Sequence, residues 1–490
     1  MAEEDPFPMH RLERDGVPVY WTPDAPRFTG VLMFRVGISD ESVMTRGLTH
    51  LVEHLAMSEF TKTRPRFPFN GSVDSLRTMF WATGTPEEVV SVLHGVCRSI
   101  AQLPLDRLEK ECRVLRTESA DRASNPAETF AFLRFGPRGH GLVGVYEFGL
   151  EVPTAAVVAD WAARKFTRQN AAAWFSGPVP DTLSFDSLPH GLRQPCPVST
   201  GIDDLRLPAA YFARDRYVAL AFVTPREDWF GVPLGIAADR LMNRLRFRDG
   251  LVYSVRWMLD HIDATSSHSM LWTNCLSDSV HKVEAALLEE LDDLAVGGPT
   301  RSELQIVRDA FARAWRDPES IHERFDALAA NDLLGFPTRS TTELIADLDE
   351  RPLEDWAKTV QSALATALLC LPAGASPTPD RFYPYPFTSK SRVEGHSYRA
   401  AIQRYPWSKK APKLVVGQDG VTWINPNGNF VTVRYEKCTA MLFPEGHLQL
   451  LGEDGFTISV RIEEWSRGDH AHATILQWLP RAQLLVIPRR

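Results

Sequence analysis

Leu48, Leu51, Val52 and Leu55 stand at the i, i+3, i+4, i+7 spacing of a buried helical stripe and predict a helix through "GLTHLVEHLAMSEF" at 47–60. Each residue turns the helix by about 100°, so His50, Glu53, His54 and Met57 collect on the opposite side. The preceding run, "TGVLMFRVGIS" (29–39), reads as a strand. "YVALAFVTPRE" (217–227) repeats that signal ahead of the helical "GVPLGIAADRLMNRLRF". Two longer stretches, "PEEVVSVLHGVCRSIAQLPLDRLEKECRVLRTE" and "VHKVEAALLEELDDLAVGGPTRSELQIVRDAFARAW", each hold two helical periods around a Pro-containing break. The order strand, helix, helix pair thus occurs twice, which predicts two α+β units of one plan rather than a βαβ winding.

Proline interrupts this pattern at "SLPHGLRQPCPVST" (187–200), where lost donors and restricted neighbours resist helix and strand alike, and again at "LPAGASPTPDRFYPYPF" (371–387). The breaks predict domains over 1–186, 201–372 and 388–490. In the third, β-formers alternate with turn signals such as "QDG", "NPNGN", "PEG" and "EDG", predicting a small antiparallel sheet or barrel, of the PH-like or another kind. The tail "ILQWLPRAQLLVIP" would add a closing helix or a last strand. Trp423, Trp465 and Trp478 are expected in its core rather than in a binding groove.

Length agrees with several cores, since 490 residues exceed what one core sustains. A net charge of −8 without a basic stripe excludes nucleic acid as the expected partner and leaves small molecules, peptides or proteins. The first residues lack the basic and apolar regions of a secretory signal, and no apolar run reaches membrane-spanning length. A soluble, cytoplasmic protein is expected, with no membrane partner. Cys97, Cys112, Cys196, Cys275, Cys370 and Cys438 are dispersed and show no CxxC, so reduced thiols are expected.

Against that background the polar side of the first helix stands out. Two imidazoles four residues apart can share a metal ion, and Glu53 lies beside them in the reverse order of the His-Glu-x-x-His zinc motif. A solvated helix face that happens to carry two histidines is the competing reading. Zinc needs a third protein ligand, and the helical "PLDRLEKECRVLRTESADRASNP" offers candidates. Its apolar stripe is Leu105, Leu108, Cys112 and Leu115. Glu111 and Glu118 lie along one edge of that stripe, while Glu109 points away. Glu118 as ligand, with Glu111 orienting the site, is the arrangement expected; an ordinary charged helix is the alternative.

With these residues in view, the chain resembles the pitrilysin-type (inverzincin, insulinase-like) zinc metallopeptidases, which include the mitochondrial processing peptidases. "FRVGISDESVMTRGLTHLVEHLAM" is similar to their strand, turn and zinc helix, and "LEKECRVLRTES" to their downstream glutamate segment. "LRFRDGLVYSV" (245–255) is similar to a segment whose arginine and tyrosine contact substrate. The resemblance implies Zn2+ held by His50, His54 and Glu118, Glu53 as catalytic base, and Glu111 behind the ligands. Arg246 and Tyr253 would be the substrate-binding pair, although by residue type alone they are a basic helix end and a strand.

The resemblance further implies one half of a clamshell and hydrolysis of peptides or unfolded precursor segments. The partner would be a second copy or a related metal-free subunit. A catalytically silent or partner subunit, acting as a scaffold or through the C-terminal β domain, is the competing function. Departures are a shortened stretch "SEFTKTRPRFPFNGSVDSLRT", read as a trimmed loop, and Asp74-Ser75 where the family often shows Asn-Ala. The second unit lacks the metal motif, with Ala314 or its neighbours at the position of Glu118. Residues 388–490 have no counterpart in the basic two-unit plan.

Overall fold

Unbroken apolar runs mark strands covered on both faces. Thr29–Phe34 and Ala171–Phe175 are buried throughout, as are the central residues of Tyr217–Pro225 and most of Leu368–Pro372. The computed structural model describes all residues except 1–6, 24–26, 64, 122–124, 215, 227–228, 338–340, 376–380, 402–410 and 490. It places these four runs at the centres of two six-stranded sheets.

The first sheet comprises β1 (His10–Arg14), β2 (Val17–Trp21), β3 (Thr29–Phe34), β4 (Phe69–Val73), β5 (Thr78–Thr83) and β6 (Ala171–Phe175), in the order β1-β2-β6-β3-β5-β4. Its segment also holds α1 (Leu48–Thr63), α2 (Pro86–Ala101), α3 (Leu108–Asp121), α4 (Pro126–Phe135) and α5 (Ala155–Lys165). The second sheet comprises β7 (Ala209–Ala213), β8 (Tyr217–Pro225), β9 (Val252–His261), β10 (Ser266–Cys275), β11 (Leu368–Pro372) and β12 (Tyr383–Pro384), in the order β12-β7-β11-β8-β10-β9. With it come α6 (Gly231–Leu241), α7 (Val280–Gly297), α8 (Arg301–Arg316), α9 (Ile321–Leu334), α10 (Thr341–Glu350) and α11 (Leu353–Ala365).

The duplication is present strand for strand. β2 and β6 pair in parallel, as do β7 and β11, and the next three pairings are antiparallel in both sheets. Only the outermost strand differs. β1 forms a hairpin with β2, whereas β12 lies parallel to β7 and comes from the second Pro-rich stretch. That stretch can pair because an edge strand tolerates proline.

Each unit also lends the other a helix. Phe130 and Ala127 of α4 pack with Ala209, Tyr211, Ala219 and Leu368 of the second sheet. Ile321, Phe325, Leu328 and Leu333 of α9 cover Val31, Met33, Ala172 and Trp174 of the first. Local signals start helices of the first unit: Asn125 caps α4 ahead of Pro126, and Thr85 with Glu88 forms a reciprocal capping box on α2.

Two four-stranded sheets follow, β13 (Gly395–Arg399), β14 (Lys413–Gly417), β15 (Gly420–Ile424) and β16 (Phe430–Arg434), then β17 (Cys438–Leu442), β18 (Leu448–Gly452), β19 (Thr457–Val460) and β20 (Leu484–Val486). They share one core, closed by α12 (Gly468–Trp478). The tail thus supplies both a helix and a last strand, and β20 joins β17 in parallel, the exception to the antiparallel expectation. Trp465 is buried and Trp423 half-buried, but Trp478 is 41% exposed, contrary to its expected place in the core. All six cysteines are free, and among the described residues no helix is long and apolar enough to cross a membrane.

Candidate metal centre

The first turn of α1 is anchored before the motif begins. Gly47 has φ +101, a conformation costly for other residues, and a side chain there would press on Glu147. The buried Glu41 carboxylate accepts from the Gly47 amide at 2.9 Å and the Thr49 amide at 2.7 Å, satisfying donors that a helix start leaves open. Arg46, also buried, bridges Glu41 at 3.3 Å and Glu147 at 3.1 Å and donates through Nε to the Leu142 carbonyl at 2.9 Å.

Leu48, Leu51, Val52 and Leu55 enter the core as the periodicity required. The opposite side is not a solvated face: Met57 belongs to the same core, Glu53 is 6% exposed, and His50 and His54 are half-buried. Strand β4 and helix α3 both pack against α1 there.

The imidazoles are held from behind by different segments. His50 Nδ1 lies 3.2 Å from Glu147 Oε1, and His54 Nδ1 lies 3.6 Å from Glu111 Oε2. Glu111 is buried on α3 and is itself held by Arg107 at 2.7 Å. The Nε2 atoms turn toward one cavity of about 300 Å³, lined by His50, Glu53, His54, Glu118 and the β4 residues Asn70 to Val73. Glu118 reaches both rings through different oxygens, Oε1 at 3.9 Å from His50 Nε2 and Oε2 at 3.7 Å from His54 Nε2, while its 48% side-chain exposure leaves one side open. Glu53 Oε2 sits 3.9 and 3.8 Å from the same two nitrogens.

Among the described residues, His50, Glu53 and His54 form the one His/Cys/Asp/Glu group whose donor atoms all lie within 4.8 Å of one another. Zinc bonds of about 2.0–2.2 Å in a tetrahedron separate ligand atoms by roughly 3.4 Å, so small rotations would close these gaps. Two imidazoles with engaged Nδ1 atoms and a nearby carboxylate fit zinc in donor type as well.

Burial, aided by the negative charges of Glu118 and Glu111 and opposed by His50, pushes the Glu53 carboxyl up to about 7. Burial works against charge on His50, but its bond to Glu147 and the negative charges of Glu147, Glu53 and Glu118 together outweigh it and raise the ring's pKa. Burial and the neighbouring His50 lower that of His54.

Not every expected residue converges. Arg246 and Tyr253 meet each other, with Arg246 Nη1 donating to the Tyr253 carbonyl at 2.7 Å and its guanidinium 4.6 Å from the ring centre. Neither lines the cavity, and Tyr253 is 80% exposed on the edge strand β9. Asp74 and Ser75 occupy the turn after β4 and do not line the cavity; Asn70 to Val73 do, and a side chain on Gly71 would overlap the Glu53 carboxylate. The stretch read as a trimmed loop is largely the end of α1 and all of β4. In the second unit, counting from the first residues of α6 and α8, Pro233, Ile236, Ala237 and Phe311 replace His50, Glu53, His54 and Glu118. Sequence reading missed Glu41, Arg46 and Glu147. Glu147 is 97 residues from its partner in an irregular segment, so no local spacing marks it.

No protein-family model matches the chain, and no curated protein is similar to it at a significant level. Solved structures are similar. An inactive peptidase M16 domain from Pseudomonas fluorescens superposes with a TM-score of 0.60 at 13% identity, over 76% of this chain and 100% of that one. A protease from Helicobacter pylori gives 0.57 at 14% identity, over 75% and 100%. Pitrilysin gives 0.57 at 15% identity, over 76% of this chain but 45% of its own. These neighbours include an M16 peptidase domain and pitrilysin, and about three quarters of this chain shares their fold.

Proposed function

We propose that this chain is a zinc-dependent metalloendopeptidase subunit cleaving peptides or unfolded precursor segments. One observation carries the reading: His50, His54 and Glu118, from two helices, turn their donor atoms to one cavity beside Glu53. His50, His54 and Glu118 would hold zinc, which when bound supplies a Lewis acid for water and for the scissile carbonyl. Glu147 and Glu111 fix the two rings so that Nε2 faces the cavity. Glu53, buried beside the two rings, would act as the base, taking a proton from water and returning it to the leaving amine. The outer edge of β4, unpaired among the described residues, can align an extended substrate beside it.

Tyr253 is exposed and Arg246 half-buried, both outside this cavity, which favours their use across a chamber by a partner. We assign a homodimer, or a heterodimer with a related metal-free subunit. Six free thiols favour a reducing compartment such as the cytoplasm.

The test is a peptide-library digest read by mass spectrometry, with and without chelator, beside Glu53→Gln. Metal-dependent cleavage that Glu53→Gln abolishes while retaining zinc is expected. Because one structural neighbour is an inactive M16 domain, the competing reading is a silent subunit. Zinc uptake without any cleavage, alone or with a partner, would favour it.

A further inference from the structure

The second C-terminal sheet does not stand apart from the proposed metal centre. Met441 of β17, Leu451 of β18, and Leu485 and Ile487 in and after β20 form a buried cluster with Val43, Leu142 and Val145. Ile38, Met44, Phe132, Phe148 and Phe443 pack around it. On the peptidase-like side Phe132 belongs to α4, and the other residues lie in two stretches of turns and short 3-10 segments, one leading into α1 and one around Gly139–Leu150.

Those segments carry the polar chain behind His50. Val43 precedes Arg46 by one turn, the Leu142 carbonyl accepts from Arg46 Nε, and Val145 lies two residues before Glu147. Arg46 joins Glu41, which holds the start of α1, to Glu147, which holds His50 Nδ1. Neither segment belongs to a sheet that could fix its backbone. Further contacts pin the same border: Arg138 pairs with Glu453 at 3.5 Å, and Gly455 sits over the Phe132 ring.

We propose that the C-terminal β domain is a positioning element for the metal centre, acting through Met441, Leu451, Leu485 and Ile487 on the Arg46–Glu147–His50 chain. Removing this cover would expose the apolar segments to water and let Arg46 and Glu147 separate, since a solvated ion pair holds its partners weakly. His50 would then lose the acceptor that fixes its ring. Comparable losses behind metal-bound histidines reduce metal affinity about 10–100-fold. The proposal rests on the zinc reading above and assigns the C-terminal domain a role in that site.

The test uses the full chain with Leu485→Ala as a mild variant, Met441→Asp as a severe one and Met441→Leu as the conservative control. Zinc affinity is measured by competition with a chromophoric chelator, and hydrogen exchange is followed over residues 41–50. Expected is a loss of affinity of about tenfold or more in Leu485→Ala, faster exchange at the Gly47 and Thr49 amides, and wild-type behaviour in Met441→Leu. Wild-type zinc affinity with unchanged exchange at 41–50 in Leu485→Ala overturns the proposal, whether or not Met441→Asp folds. If wild-type protein takes up no zinc, the metal reading fails. Faster exchange at 41–50 in Leu485→Ala would then still uphold the mechanical coupling, and unchanged exchange would remove it.

Discussion

His50 and His54 share one helix but are held from behind by carboxylates of different origin, Glu147 from an irregular segment and Glu111 from α3. Each acceptor is buried, so its loss is not made good by water. Glu147→Gln and Glu111→Gln should each weaken zinc binding about 10–100-fold by chelator competition, whereas Glu109→Gln, on the exposed side of α3, should not. A second pair of histidines makes a pH prediction. His140 Nε2 lies 3.3 Å from His268 Nδ1 in a buried contact, and burial lowers His140 to about 4 and His268 well below its ordinary value. The unfolded chain protonates near 6.5, so between there and 4 it binds more protons than the fold, and stability falls on acidification. Urea midpoints of metal-free protein should drop between pH 7 and 4, less steeply in His140→Gln. At this scale the motif residues and Glu118 were legible, because helical spacing places them. Arg46, Glu147 and Gly71 were not, because tertiary packing alone brings them to the site.

At the scale of elements, periodicity identified the paired helices of both units and the strands that precede them. It could not say which sheet each helix covers. α4 and α9 carry ordinary apolar faces, yet each packs across onto the other unit's sheet, which joins the two halves of the duplication. Phe130 and Phe325 are fully buried in those contacts. Phe325→Ala should destabilise the first sheet's cover by about 3–5 kcal/mol, read from denaturant unfolding. The helix α1 shows a related limit. Its hydrophobic stripe was legible, but the burial of Met57 and Glu53 on the other side arises from β4 and α3, which a helical wheel does not contain.

For the whole molecule, the proposed assembly follows from what one chain does not bring together. Arg246 and Tyr253 sit on the second unit, away from the cavity of the first. In a two-fold dimer each copy would complete the other's site. Mixing Glu53→Gln with an Arg246→Ala/Tyr253→Phe double variant should restore about a quarter of wild-type activity, because half the dimers are mixed and each has one intact site. No recovery despite subunit exchange would argue that the pair acts within its own chain or not at all. The third sheet and its neighbour were legible as β structure from their turn signals, but their packing against the segments behind His50 was not.

The most direct measurement is anomalous diffraction at the zinc edge from crystals of the zinc-loaded chain. One peak bonded to His50, His54 and Glu118, with Glu53 beside it and unbonded, is the predicted result. A peak bound elsewhere, or none at these three side chains, would contradict the account.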